Sequence, residues 1–207
     1  MRITIDATSL LLRSAGIKNY TYYWLKHLRR AARAGEEIRA YPLLGDVKRL
    51  DHEASALSFA ATVPRLGVLF AVNKLGSWAL DAAIAGSDVF HASNQVHHAP
   101  RRAKLTATVH DLTAMLMPEL HTAGNVRADA VFAERILKRA DGLIAVSENS
   151  RSAVISRPRS ERASNVSRKR RKLFFVTPPG HKAGRSQSKT RVTRLMRAVR
   201  PRDTNAY

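Results

Sequence analysis

Polar and apolar residues alternate over residues 2–6 (RITID), which predicts a first strand. A loop follows through Gly16. From Ile17 to Ala34 the apolar residues Ile17, Tyr20, Trp24, Leu28 and Ala31 recur at spacings of three and four, the period of one helical face. Lys18, Lys26, Arg29, Arg30 and Arg33 fall mostly off that face, and Gly35 is placed to stop the helix. Residues 38–44 (IRAYPLL) read as a second strand weakened by Pro42. Leu66 to Ala85, rich in alanine and leucine, reads as a helix ended by Gly86. Asp88–His91, Leu105–His110 and Gly142–Ser147 read as short strands, and Asn125–Ala140 as a helix with basic residues near its carboxyl end.

Strands alternating with helices predict an α/β fold built on an open parallel sheet. Apolar runs such as LIAV predict strands buried on both faces.

Composition changes this picture after residue 150. Residues 1–150 hold 19 basic and 14 acidic residues, a net of +5, whereas residues 151–207 hold 17 basic and 2 acidic residues, a net of +15. The overall charge of +20 therefore belongs largely to the second segment. Residues 156–172 are mostly serine, arginine, lysine and proline, a composition expected to be largely disordered. The expected organisation is a domain over 1–155 followed by a basic tail over 156–207. There is no cysteine, so disulfides, thiolate metal sites and cysteine nucleophiles are excluded. A reducing compartment is compatible with that. No secretory leader is visible at the amino terminus, and no apolar run reaches the ~20 residues of a membrane span. A cytoplasmic location is expected.

In open parallel sheets ligands bind beyond the carboxyl ends of the strands. That rule selects Asp6 with the Ser14–Gly16 turn, His91 with Asn94, His110 with Asp111, and Ser147 with Glu148. Gly16 immediately precedes a helix. It either brings backbone N–H groups close to a phosphate or merely eases the loop into the helix, and no glycine-rich phosphate motif decides between them. His110 either donates to a ligand hydroxyl, with Asp111 holding its tautomer, or closes the strand end structurally. His91 has the same alternatives, with the structural one favoured. His97 and His98 form a loop pair without a third metal ligand at useful spacing. Ser147 suits a helix N-cap.

Taken together, MRITIDATSLL, Gly16-Ile17 and Tyr20-Thr21 entering a basic helix, DVFHASN, TVHDLTAMLMPELH and RADGLIAVSENSR resemble glycosyltransferases of family 4 in order and approximate spacing, over residues 1 to about 152. The resemblance implies the amino-terminal, acceptor-side Rossmann-like domain of a two-domain GT-B enzyme. Such enzymes transfer a hexose from a nucleotide sugar to a glycan or lipid-linked acceptor with retention, with no cofactor and usually no metal. It implies that the loop around Gly16 faces the donor phosphates, with Ser147 and Glu148 as further donor contacts. His110 and Asp111 lie near the transferred sugar, and Asp6, Tyr20, His91 and Asn94 lie on the acceptor side. It also implies peripheral contact of the basic helix after Gly16 with an anionic inner-membrane face.

The family's carboxyl-terminal domain, with its paired glutamates, has no counterpart before Tyr207. LFFVTPPG at 173–180 looks like a degraded version of the strand and turn that end the first domain. A truncated or frameshifted transferase is therefore expected, its missing half lost or supplied by a separate chain. The alternative is a non-catalytic α/β module whose cationic tail holds nucleic acid, without sequence preference, or anionic membrane.

Overall fold

The strands predicted from the pattern pair side by side in one parallel sheet, and the residues between them cover its two faces. The computed structural model describes residues 1–150 except 15, 48, 111, 112, 148 and 149, together with the strand at 172–175. In chain order the elements are β1 (Arg2–Asp6), α1 (Gly16–Ala31), β2 (Glu37–Tyr41), α2 (Phe59–Leu75), α3 (Ser77–Ala83), β3 (Val89–Ala92), β4 (Lys104–Val109), α4 (Thr113–Leu116), α5 (Ala123–Phe132), β5 (Gly142–Ala145) and β6 (Lys172–Phe175). Short 3-10 turns sit at Thr8–Leu11 and Pro118–Leu120, and a π-helical turn at Ala133–Leu137 continues α5.

The six-stranded sheet has the order β2-β1-β3-β4-β5-β6, and every pair is parallel. The chain first moves outward from β1 to β2, then returns past β1 to β3. The crossover direction reverses there, so a topological switch point lies between β1 and β3. Five strands come from residues 1–145. The sixth pairs Lys172–Phe175 with Gly142–Ala145, so the LFF run joins the sheet as an edge strand. The rest of the expected basic tail lies outside the described residues.

Alternation within each strand sorts side chains into two cores. Ile3, Ile5, Val89 and Ile144 join Trp24, Leu25 and Leu28 of α1. Phe90, Ala92, Leu105, Ala107 and Leu143 pack with Val72 of α2, Leu80 of α3, Phe132 and Ile136. Burial on both faces explains the continuous apolar strands, and the sheet-edge strand β2 is exposed along its first three residues more than the others. The Rossmann-like α/β architecture expected from the sequence is thus present.

Several boundaries move. Strand β2 stops at Tyr41 because Pro42 has no N–H to extend the ladder. The single helix expected over 66–85 is two: α2 starts at Phe59, ahead of and through Pro64, and ends where Gly76 takes φ 98°, before α3. Helix α5 begins at Ala123 because the Thr122 hydroxyl accepts from Asn125 N–H at 3.3 Å. On α1 the expected apolar face needs correction at both ends. Ala31 is exposed, while Lys18 is fully buried, its Nζ donating to the carbonyls of Asp51 (2.8 Å) and Ala54 (2.7 Å). A lysine can be enclosed when loop carbonyls replace its water.

Candidate functional site

A cleft of about 100 Å³ opens at the carboxyl ends of β1, β3 and β4, at the switch point. Its walls include Asp6, Tyr20, Trp24, His91, Asn94 and His110. Six residues, four of them expected from sequence on the acceptor side and one as catalytic, thus converge through sheet topology. Trp24 is the sixth, and the sequence placed it only in the core.

Asp6 ends β1 and is 2% exposed. One oxygen accepts from Thr8 N–H at 3.0 Å and Thr8 Oγ1 at 2.6 Å, and the other from Ser93 N–H at 3.3 Å and, more closely, Ser93 Oγ. The carboxylate therefore clamps the loop after β1 to the loop after β3. Burial pushes its pKa above the ordinary aspartate value, and the four donors counter that rise. With both oxygens engaged, Asp6 shapes the floor of the cleft and has little capacity left for a ligand.

His91 lies between two threonines of the neighbouring strand. Its register partner is Thr106. His91 Nδ1 is 2.9 Å from Thr106 Oγ1, and Nε2 is 3.0 Å from Thr108 Oγ1. Thr106 Oγ1 donates to Phe90 O at 3.5 Å, which leaves its oxygen to accept from Nδ1–H. Nε2 then accepts from the Thr108 hydroxyl, and Thr108 accepts from Tyr20 OH at 3.0 Å. One chain of hydrogen bonds with a single polarity runs from α1 to β3. The ring also packs edge-on against Trp24 at 4.2 Å. Desolvation, followed by the nearby His110, lowers its pKa to about 3, so the imidazole is neutral at physiological pH. This matches the structural role favoured for His91 from sequence.

Tyr20 joins that chain to the cleft. Its ring meets the His110 ring edge-on at 4.8 Å. Burial raises its phenol to about 12, so it stays protonated. His110 is half-buried just beyond β4, and its carbonyl accepts from Ser150 Oγ at 3.0 Å. Asn94, in the loop after β3, is half-buried and also lines the cleft, its Oδ1 accepting from Gln95 Nε2 at 3.1 Å.

Gly16 and Ser147 are not among the residues that line the cleft. Gly16 opens α1 in an exposed position where an added Cβ would meet nothing within 4 Å. Close packing therefore does not require glycine there. The first turns of α1 do face the cleft through Ile17, Tyr20 and Thr21, so the N–H groups of the helix start, which a helix itself leaves without intrahelical partners, lie beside it. Ser147 accepts from Ser150 N–H at 3.1 Å, three residues on, which is N-cap geometry. Asp111 and Glu148 fall outside the described residues. His97 and His98 dock on Asn73 of α2: Asn73 Oδ1 accepts from His97 N–H at 3.0 Å, and His98 Nε2 lies 3.1 Å from Asn73 O. Among the described residues no group of three or more His, Asp or Glu is placed to hold a metal.

Thr106, Thr108, Ser93 and Thr8 belong to the site's support but were not singled out from sequence. The alternation in KLTATV was the available signal, because residues two apart on a strand share a face. No protein-family model, curated protein or solved structure matches this chain.

Proposed function

We propose that the chain is the acceptor-side domain of a retaining, nucleotide-sugar-dependent glycosyltransferase that moves a hexose to a glycan or lipid-linked acceptor. The observation that carries this reading is the cleft at the switch point, where His110, Tyr20 and Asn94 converge beside the start of α1. It is smaller than the ~300–1,000 Å³ of a complete small-molecule pocket, which suits half of a site whose second wall comes from a further domain or chain.

The roles follow from the chemistry of transfer. The acceptor hydroxyl bonds to the anomeric carbon as the bond from that carbon to the diphosphate oxygen breaks. The hydroxyl proton passes to the departing phosphate. His110 donates a hydrogen bond to a hydroxyl of the transferred sugar, and Tyr20 fixes its ring by edge contact. The N–H groups and positive dipole end at the start of α1 stabilise the negative charge that grows on the diphosphate. Asn94 offers amide hydrogen bonds to the acceptor, and a neutral His91 holds the Thr108–Tyr20 wall in place.

The test is hydrogen exchange on the full chain with UDP-, GDP- and ADP-hexoses in turn. The expected result is slowed exchange at the start of α1 and in the segments after β3 and β4 with one donor class, abolished by His110→Ala. Protection confined to residues 151–207, alike for every nucleotide and lost in salt, would instead support a polyanion-binding tail on a non-catalytic module.

A further inference from the structure

Helix α2 departs from the pattern of the other long helices. Of its residues only Thr62, Arg65, Asn73 and Lys74 are polar. A helix apolar on all sides is ordinarily enclosed, yet here only Thr62 and Val72 are buried. Phe59, Val63, Gly67, Phe70 and Lys74 follow at spacings of four, four, three and four, so they share a face. All five are exposed, Phe59 at 84% and Phe70 at 65%. Leu75 and Trp78, either side of the α2–α3 break, are exposed as well. So is Leu43, whose carbonyl accepts from Arg65 Nε at 3.1 Å.

Charge identifies the occupant. From Phe59 to Ala83 the one carboxylate is Asp81, whose side chain is 8% exposed and paired with Arg101 at 3.3 Å. Lys74 Nζ lies over the Phe70 ring, 5.6 Å from its centroid, with its charge at the edge of the apolar face. Arg65 is a second cation on the same helix, its guanidinium donating to the carbonyls of Leu43 and Ala61. A second copy of this chain, docked through the same face, would set the same cations against one another. Nucleic acid offers phosphates but no apolar layer for two phenylalanines, a valine and a tryptophan. An anionic bilayer offers both: phosphates for the cations, and a boundary layer in which aromatic side chains are favoured.

We infer that α2 and the start of α3 form a docking face for an anionic lipid surface. The helix lies on the bilayer and does not cross it, since no helix among the described residues is long and apolar enough to span. The face is on α2 and not on basic α1, whose one large apolar side chain exposed to solvent is Tyr23. The inference stands apart from the transfer reaction.

The chain has two tryptophans, Trp24 in the core and Trp78 at 56% exposure, so fluorescence separates insertion from simple attraction. The probe is a vesicle of phosphatidylcholine with phosphatidylglycerol, its acyl chains brominated near the headgroup end. The expected result is a blue shift and quenching of the full chain, absent in Trp78→Phe. The double variant Phe59→Glu, Phe70→Glu should keep its far-UV circular dichroism and lose roughly tenfold or more in vesicle affinity. Three results would overturn the inference. One is sedimentation with the vesicles without quenching, which makes the basic tail the whole attachment. Another is unchanged affinity in the double variant. The last is a lipid-free dimer that shields Trp78, which makes a second copy the occupant.

Discussion

Acid should weaken this fold through His91 in particular. The buried imidazole has a folded pKa of about 3 against an ordinary value of 6.5. Between those values the unfolded chain takes up a proton that the folded chain refuses, so stability is full above pH 6.5 and falls as pH drops toward 3. Each pH unit in that window removes about 1.4 kcal/mol. At pH 4.5, two units below the unfolded value, the loss from this one residue is about 3 kcal/mol, a large part of the ~5–15 kcal/mol of a typical domain.

The check is urea unfolding of wild type and His91→Gln at pH 7 and pH 4.5. Gln removes the titration and keeps a donor and an acceptor for the threonines. At neutral pH the variant should be the less stable, by about 1–2 kcal/mol, because the edge contact with Trp24 is lost. At pH 4.5 that gap should close or reverse by about 3 kcal/mol. The rest of the cleft is the same in both proteins, so the comparison isolates His91. Equal losses in the two proteins between the two pH values would refute the argument.

Three further outcomes follow from the same geometry. Asp6→Ala strands the donors of Thr8 and Ser93 and should cost roughly 2–4 kcal/mol in urea unfolding, with faster hydrogen exchange in the loops after β1 and β3. Lys18→Met removes the cation that holds the Asp51 and Ala54 carbonyls, so exchange at Ala56 N–H, which donates to Leu10 O at 2.9 Å, should accelerate while the β3–β4 amides stay protected. Gly86→Ala places a side chain at φ 75°, where its Cβ also meets the Arg2 guanidinium, and should destabilise by about 1–2 kcal/mol; an unchanged urea midpoint would show that this turn relaxes freely.

The strands were legible because they are buried on both faces, which leaves runs such as GLIA and VFHA almost without charge. Helix α1 was legible from its 3.6-residue period, but Lys18 was not, since nothing local announces that a loop 33 residues away will replace its water. Helix α2 was legible only in part. The alanine- and leucine-rich pattern starts after Pro64 and runs through Gly76, yet the helix passes through Pro64 and it is Gly76, at φ 98°, that interrupts it. The apolar exposed face of α2 defeats periodicity altogether, because amphipathic contrast is what a sequence pattern detects.

At the cleft, position was easier to read than role. The rule that ligands bind beyond strand ends singled out Asp6, His91, Asn94 and His110, and all four line the same cleft, since the rule depends on topology alone. What each does depends on partners from other strands. Asp6 spends both oxygens on Thr8 and Ser93, the latter 87 residues away, and His91 spends both nitrogens on Thr106 and Thr108. Those two residues therefore act as supports for the wall they line. This ordering has a mechanistic consequence. Disturbing His91 should reach His110 through Thr108 and Tyr20, a chain of two hydrogen bonds and one ring contact, and also through the packed Trp24 and Tyr20 rings. Tyr20→Phe breaks the middle link while keeping the ring against His110, so hydrogen exchange should rise at the β4 end while the ligand contact proposed for His110 persists. Tyr20→Ala removes both and should impair both.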